Sequence, residues 1–298
     1  MIGIRQAGLS VERLTVPVKN LPQAWAGVTI AQLSDLHFDG ESLSSQFLQA
    51  TLAVINQAEP DLICLTGDYV TDNPEPIHEL SHHLHQLQAR LGVYACLGNH
   101  DVYYPESQAI VTQALENVGI QVLWDKIAYP LGPGLAVVGL RDFWSFQFNP
   151  GLLLDGLPPD LPRLVLSHNP DSAKVLQNWR VDLQLSGHTH GGQVVIPNLG
   201  PLVAWLKPLR KKLPKLWRPT FSAMTKGSER TVQYWQWAEG LHQVGTNWLY
   251  VNRGLGSYWP GRWNCPPEVT LITLVAAPQT EPVLASVPER LQSVPTCV

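Results

Sequence analysis

The sequence predicts an α/β protein built on a parallel sheet with crossover helices. Three observations carry that reading. Short apolar runs of strand length recur along roughly the first hundred residues. Stretches of helical periodicity fill the gaps between them. A polar cluster containing Asp, His or Asn closes each run from 28–33 onward. Gaps of this length suit parallel crossovers, which are right-handed almost without exception.

Each element follows in order. Residues 9–18 (LSVERLTVPV) alternate apolar and polar as a half-buried strand does, and 28–33 (VTIAQL) form a buried strand ending at Ser34 and Asp35. The spacing predicts a helix over 43–58, stopping before Glu59–Pro60. A strand over 61–66 (DLICLT) ends in Gly67–Asp68, a helix spans 76–91, and a strand over 93–97 (VYACL) ends in Gly98–Asn99–His100–Asp101. After a helix over 106–117 come short strands at 121–124, 135–139, 163–167 and 183–186, with closing strands at 249–252 and 269–275. The expected organisation is one domain over 1–276 with a basic, Trp-rich insertion at about 201–235, then a flexible, proline-bearing tail over 277–298.

Composition narrows the function. Lys plus Arg number 20 and Asp plus Glu 24, a net −4, which excludes a globally basic nucleic-acid coat and an acidic disordered chain. The 45% of hydrophobic residues supply a core. The four cysteines show no CxxC or zinc-ribbon spacing, and Cys64 and Cys96 sit inside apolar runs, so a reducing compartment is expected. With no signal pattern at the N-terminus and no apolar window of about 18 residues, a cytoplasmic protein is expected.

The chemistry-bearing residues fall where strands end. Asp35 and His37 follow the first buried strand, Asp68 the second, Asn99 and His100 the third. Successive parallel crossovers bring strand carboxyl ends to one edge, where ligand sites of open α/β sheets lie. His168 follows RLVLS, and His188 and His190 follow LQLS. Two carboxylates, an amide oxygen and four imidazoles without a thiolate suit borderline-hard divalent ions. Two ions sharing Asp68 would use the whole set: Asp35, His37, Asp68 and His190 for one, and Asp68, Asn99, His168 and His188 for the other. Taken singly, Asp35 reads equally well as a turn aspartate.

The ordered blocks DLH (35–37), GDY (67–69), GNHD (98–101), SHNPD (167–171) and GHTHGGQ (187–193) resemble the calcineurin-like metallophosphoesterase family. The block YVNRGLG…PGRWNCPPEVTLITL (250–274) is similar to a bacterial branch of small monomeric members. The resemblance implies a four-layer α/β/β/α sandwich of two mixed sheets. It also implies two divalent ions (Mn2+, Fe2+/Fe3+ or Zn2+) that activate water against a phosphoester or pyrophosphate bond. It gives His100 a role beside the leaving group and Asp101 the task of orienting that imidazole. Asn99 and Arg253 are expected to contact substrate, although Arg253 reads equally as a structural ion pair. A phosphorylated small-molecule or lipid-linked substrate, such as a UDP-diacylglucosamine-type pyrophosphate, is the sharpest expectation. A general phosphodiesterase acting on cyclic nucleotides or nucleic acid, and a non-catalytic metal-stabilised scaffold, stand as alternatives.

Three further features invite a function. His78, His82 and His85 share one helical face, read as solvated rather than metal-binding. Arg141–Asp142 either lines the site or forms a local salt bridge. Residues 205–230 hold eight Lys or Arg against one Glu, interleaved with Trp205, Leu209, Leu213, Trp217 and Phe221. That composition fits peripheral contact with an anionic membrane on its inner face, a flap guiding an anionic substrate, or a snorkelling surface segment. No nucleic-acid module accompanies it.

Overall fold

The computed structural model describes residues 8–40, 42–205 and 232–278. Its first half alternates strand and helix: β1 (Ser10–Val18), β2 (Thr29–Leu33), α1 (Ser45–Gln57), β3 (Leu62–Leu65), α2 (Ile77–Leu84), β4 (Val93–Ala95), α3 (Ser107–Glu116) and β5 (Gln121–Val122). Its second half is richer in strand: β6 (Lys126–Ala128), β7 (Ala136–Gly139), α4 (Gly151–Leu154), β8 (Arg163–Leu166), α5 (Ala173–Leu176), β9 (Leu183–Ser186), β10 (Val195–Ile196), β11 (Gly200–Pro201), β12 (Gly240–Val244), β13 (Asn247–Val251) and β14 (Glu268–Ala276).

Two six-stranded sheets result, in the orders β1-β14-β2-β3-β4-β5 and β12-β13-β9-β8-β7-β6. Both are mixed. β14 runs antiparallel to β2 while β2, β3, β4 and β5 are parallel. In the second sheet β13, β9, β8 and β7 are parallel, and the edge strands β12 and β6 are antiparallel. One apolar cluster lies between the sheets, where Ile30, Leu62 and Cys64 of the first meet Val137, Leu164 and Leu185 of the second. A second packs α1, α2 and α3 on the outer face of the first sheet, and a third packs α4 and α5 on the second. The layers are helix, sheet, sheet, helix, a calcineurin-like sandwich. β14 closes the fold by pairing in parallel with β1 over nine residues, so the two ends of the described chain meet in one sheet.

Local chemistry sets the helices. Ser44 caps α1, its hydroxyl accepting the Phe47 N–H, and Leu48, Thr51, Leu52 and Ile55 recur at helical spacing to form the buried face. α2 ends at Leu84, short of the expected 91, because the Asn56 side chain bonds both the Gln86 carbonyl and the Gln88 N–H. Those bonds hold 86–88 as a connection rather than helix. On α2, His78, His82 and His85 are exposed and His83 is buried, as a solvated histidine face requires. Cys64, Cys96 and Cys265 are buried and free. The tail over 279–298 and most of the 201–235 insertion, including the cationic run, lie outside the described residues.

Candidate metal centre

Pairing continues past the strand ends and holds the loops rigidly. The Asp35 N–H donates to the Gly67 carbonyl, His37 to Asp68, and Leu255 to Ser34, while Gly187 reaches across to the His168 carbonyl. Beneath them Gln32 of β2 donates to the Ser186 carbonyl of β9, tying the two sheets together at the site. Asp35, His37, Asp68, His188 and His190 all have φ between 43° and 71°, the left-handed region that non-glycine residues seldom occupy. Such conformations concentrate at functional sites, where surrounding bonds hold them in place. Glycine permits the closeness. A Cβ at Gly187 would lie 2.1 Å from Asp35 Oδ2, and one at Gly98 would lie 2.1 Å from Asp68 Oδ1.

The predicted ligands converge in three overlapping groups: Asp35 with His37 and His190; His37 with Asp68 and His100; and Asp68 with His168 and His188. Asp68 Oδ2 is the shared atom, 3.5 Å from His37 Nε2 and 3.0 Å from His168 Nε2. His37 Nε2 stands 3.0 Å from His190 Nε2, which is 3.3 Å from Asp35 Oδ1. His188 turns Nδ1 inward, 3.1 Å from His168 Nε2. The ring orientations are fixed from behind. His168 Nδ1 lies 2.7 Å from the Thr66 carbonyl and His190 Nδ1 3.3 Å from that of Gly256. A carbonyl there keeps a proton on Nδ1 and turns Nε2 toward the cage.

Electrostatics say what the cage lacks. Burial lowers His37 to about 4 and holds His190 well below the ordinary histidine range. Both rings are therefore neutral, and their adjoining nitrogens cannot both donate. Burial raises Asp35 to about 6. Burial works against ionised Asp68 too, yet the His168, His100 and His37 rings carry its carboxyl well below the usual range. Burial likewise opposes a charge on His168, but the Asp68 carboxylate outweighs it and lifts the ring to about 10. Asn99 Oδ1 and His37 Nδ1 are buried and have no partner among the described residues. Facing lone pairs about 3 Å apart match two nitrogen ligands each about 2.1 Å from one ion. The donor set fits divalent cations: Asp35, His37 and His190 could hold one, and Asp68, His168 and His188 another.

Two expectations are corrected. Asp101 does not face the His100 ring. Its carboxylate accepts the N–H groups of Asp68, Tyr69 and Gly98, at 2.8 Å each, and of Val70 at 3.3 Å, so it clamps two ligand loops together. The Thr71 carbonyl takes His100 Nδ1 instead, which leaves Nε2 as the ring atom free to meet a substrate. Arg253 is not presented to a phosphate. It bonds Glu268 Oε2 and Glu12 Oε1 at 2.5 Å, with Glu239 3.6 Å away, which is the ion-pair alternative. Arg141 likewise pairs locally with Asp125 and Gln147. Asp142 is buried, with one oxygen on the Trp144 N–H and the other unpartnered among the described residues.

Two residues within the closing block 250–274, neither singled out by the sequence reading, also build the site. Arg262 is 1% exposed and donates to the carbonyls of His190, Arg253, Gly254 and Gly256 behind the His190 ring. The Tyr258 ring centroid lies 4.9 Å from that of His190 and 6.4 Å from that of His37. Neither sits at a strand end, and no periodic signal points to them. In SHNPD, Asn169 caps the following turn and Asp171 accepts the N–H groups of Gln233 and Tyr234, so only His168 of that block faces the cage.

Comparison with known proteins agrees with this geometry. The family model described as calcineurin-like phosphoesterase matches residues 28–192. Phosphodiesterase YaeI of Escherichia coli (strain K12) is 33% identical over 82% of this chain and 80% of its own length. The UDP-2,3-diacylglucosamine pyrophosphatase LpxG of Chlamydia trachomatis is 30% identical over 87% of this chain and 88% of its own. A metallophosphoesterase of Bacillus subtilis (strain 168), YkuE, is 29% identical over 87% and 83%.

Proposed function

The chain belongs to the calcineurin-like phosphoesterase family and is a hydrolase of phosphoester bonds, and from that premise we propose how its residues act and on what. The observation that carries the reading is the sharing of Asp68 Oδ2 between the nitrogens of His37 and His168, which ties two ligand groups through one atom. When bound, two divalent ions supply Lewis-acid activation of water and neutralise the phosphoryl oxygens. Mn2+, Fe2+/Fe3+ and Zn2+ all suit these ligands.

The protein's own residues set the rest. Asp35 and Asp68 bring negative charge into a buried edge, and the backbone carbonyls of Thr66 and Gly256 hold the imidazoles in their ligating tautomers. The buried Asn99 amide oxygen, which has no partner among the described residues, is available for a cation or a substrate. Water gives up a proton to the solvent and forms the new bond to phosphorus as the ester bond opposite it breaks, and the departing oxygen takes up a proton. His100 Nε2 is the group placed to supply it. Burial opposes a charge on His100, yet Asp68 and the Thr71 carbonyl raise its affinity for a proton, as a donor requires.

The substrate joins a phosphodiester or pyrophosphate to an apolar moiety. LpxG, by its name, acts on a diacylated nucleotide sugar, and the cationic, Trp-bearing run of 205–230 suits an amphipathic phosphate or an anionic lipid surface. Among the described residues no helix is long and apolar enough to cross a membrane. The test is hydrolysis of bis-p-nitrophenyl phosphate and p-nitrophenyl phosphate with Mn2+ and after chelation. Turnover that chelation abolishes and Mn2+ restores is expected. Fully metallated protein inert on both, and on a lipid-linked pyrophosphate, would leave the scaffold reading.

A further inference from the structure

Beside the cage lies a cleft of about 110 Å3, walled by Val194, Leu202, Val203, Trp235, Trp259 and Pro260. Thr189, between two of the cage histidines, forms part of its floor, and Tyr258 stands between the cleft and the His190 ring. The bonds around it are specific. The Tyr258 backbone and the Gln193 side chain exchange two hydrogen bonds, at 3.0 and 3.3 Å. The Trp263 N–H donates to the Gln193 carbonyl at 2.8 Å. Trp259, on the cleft wall, is 71% exposed, and Trp263, bridged to Val194 of that wall, is about half exposed. Exposed large apolar groups gathered at one place mark a binding surface more often than chance.

We propose that this cleft binds a short apolar chain carried by the phosphate substrate, so that it selects acyl- or alkyl-bearing esters for the adjoining cage. The proposal rests on the phosphohydrolase reading above. Size sets the class of occupant. Pockets for whole drug-sized molecules run from about 300 Å3 upward, whereas an apolar cavity of about 150 Å3 takes a benzene ring. About 110 Å3 therefore holds a few carbons and not a nucleotide or sugar. Among the described residues the walls carry no charged side chain. The indole N–H of Trp235 is enclosed and has no acceptor among the described residues, so it stands ready for the carbonyl of an acyl group.

The test is a series of p-nitrophenyl phosphodiesters whose second ester is methyl, ethyl, butyl or octyl, assayed with Mn2+ below any micelle concentration. Burying each methylene predicts a rise in kcat/KM of about fourfold, until the cleft is filled after three or four carbons. Val203→Asp and Trp235→Ala should each bring the butyl-to-methyl ratio, measured within the variant, close to one. A flat series in the wild-type protein, with turnover present, overturns the cleft assignment and leaves the hydrolase reading intact. No turnover across the whole series overturns both. A rise seen only when anionic vesicles are added gives this face to a lipid surface and overturns the proposal.

Discussion

Two regions of this molecule bury charged groups, and they solve the problem in opposite ways. Around Arg253 the charges close on themselves. One guanidinium meets Glu12, Glu239 and Glu268, while Tyr250, Asn252 and Thr270 bond Glu268 as well. In the cage, neutral His37 and His190 face each other at 3.0 Å, Asn99 Oδ1 and His37 Nδ1 lack partners among the described residues, and Asp68 is pulled between rings. Buried polar atoms are partnered as a rule, so the closed cluster is complete as structure and the open one is complete only with cations. A carboxylate or an arginine at a strand end is thus no evidence of catalysis until its partners are known.

The contrast predicts unequal mutational costs. The largest effect is expected at Asp68. Asp68→Ala should reduce hydrolysis of bis-p-nitrophenyl phosphate by well over the ~10–100-fold that losing an outer partner costs. Thermal unfolding of its metal-free form should also move down, because the variant leaves the buried His168 ring and the His100 N–H without their carboxylate. Next is His100→Asn, for which a drop in kcat of about 10²–10⁴ is expected with both metals retained, as measured by steady-state kinetics beside elemental analysis. A normal kcat would remove His100 from the chemistry.

In the closed cluster the cost falls on stability and not on metal content. Arg253→Ala leaves Glu268, 2% exposed in its side chain, without its cation. Breaking a buried pair this way costs about 3–5 kcal/mol, to be read in urea unfolding, while metal content stays unchanged. Loss of metal at native-like stability would put Arg253 back in the site. The smallest effect is that of pH on the cage. Asp68 holds His168 protonated up to about 10, so an incoming cation must expel that proton. Apparent metal affinity therefore falls as pH falls, by up to about tenfold per unit for each proton released. Calorimetric titrations in buffers of unlike ionisation enthalpy would show the release, and a pH-independent affinity would contradict it.

How much was legible in the sequence follows the same division. Asp35, His37, Asp68, Asn99, His168, His188 and His190 could be placed because each follows an apolar run, and parallel crossovers deliver such positions to one edge. The sheets β2–β4 and β7–β9 do so. The partners of a polar side chain are another matter. Asp101 stands next to His100 in sequence, yet its carboxylate is consumed by the Gly98 N–H of its own loop and by three N–H groups of a loop about 30 residues away. Arg262 sits 72 residues from the histidine it backs, with no periodicity to announce it. The edge strands β6 and β12 escaped notice because short strands with exposed positions lack a continuous apolar run. The left-handed backbone at Asp35, His37, Asp68, His188 and His190 is equally hard to read, since Asp and His are enriched at positive φ yet only a few per cent of non-glycine residues adopt it.

The central claim is that one carboxylate joins two cations in this cage. Elemental analysis of purified wild-type protein and of Asp68→Ala, each loaded with Mn2+ and desalted, tests it most directly. Two ions per chain in the wild type and close to none in the variant are predicted. Two ions retained by a folded Asp68→Ala protein would contradict it.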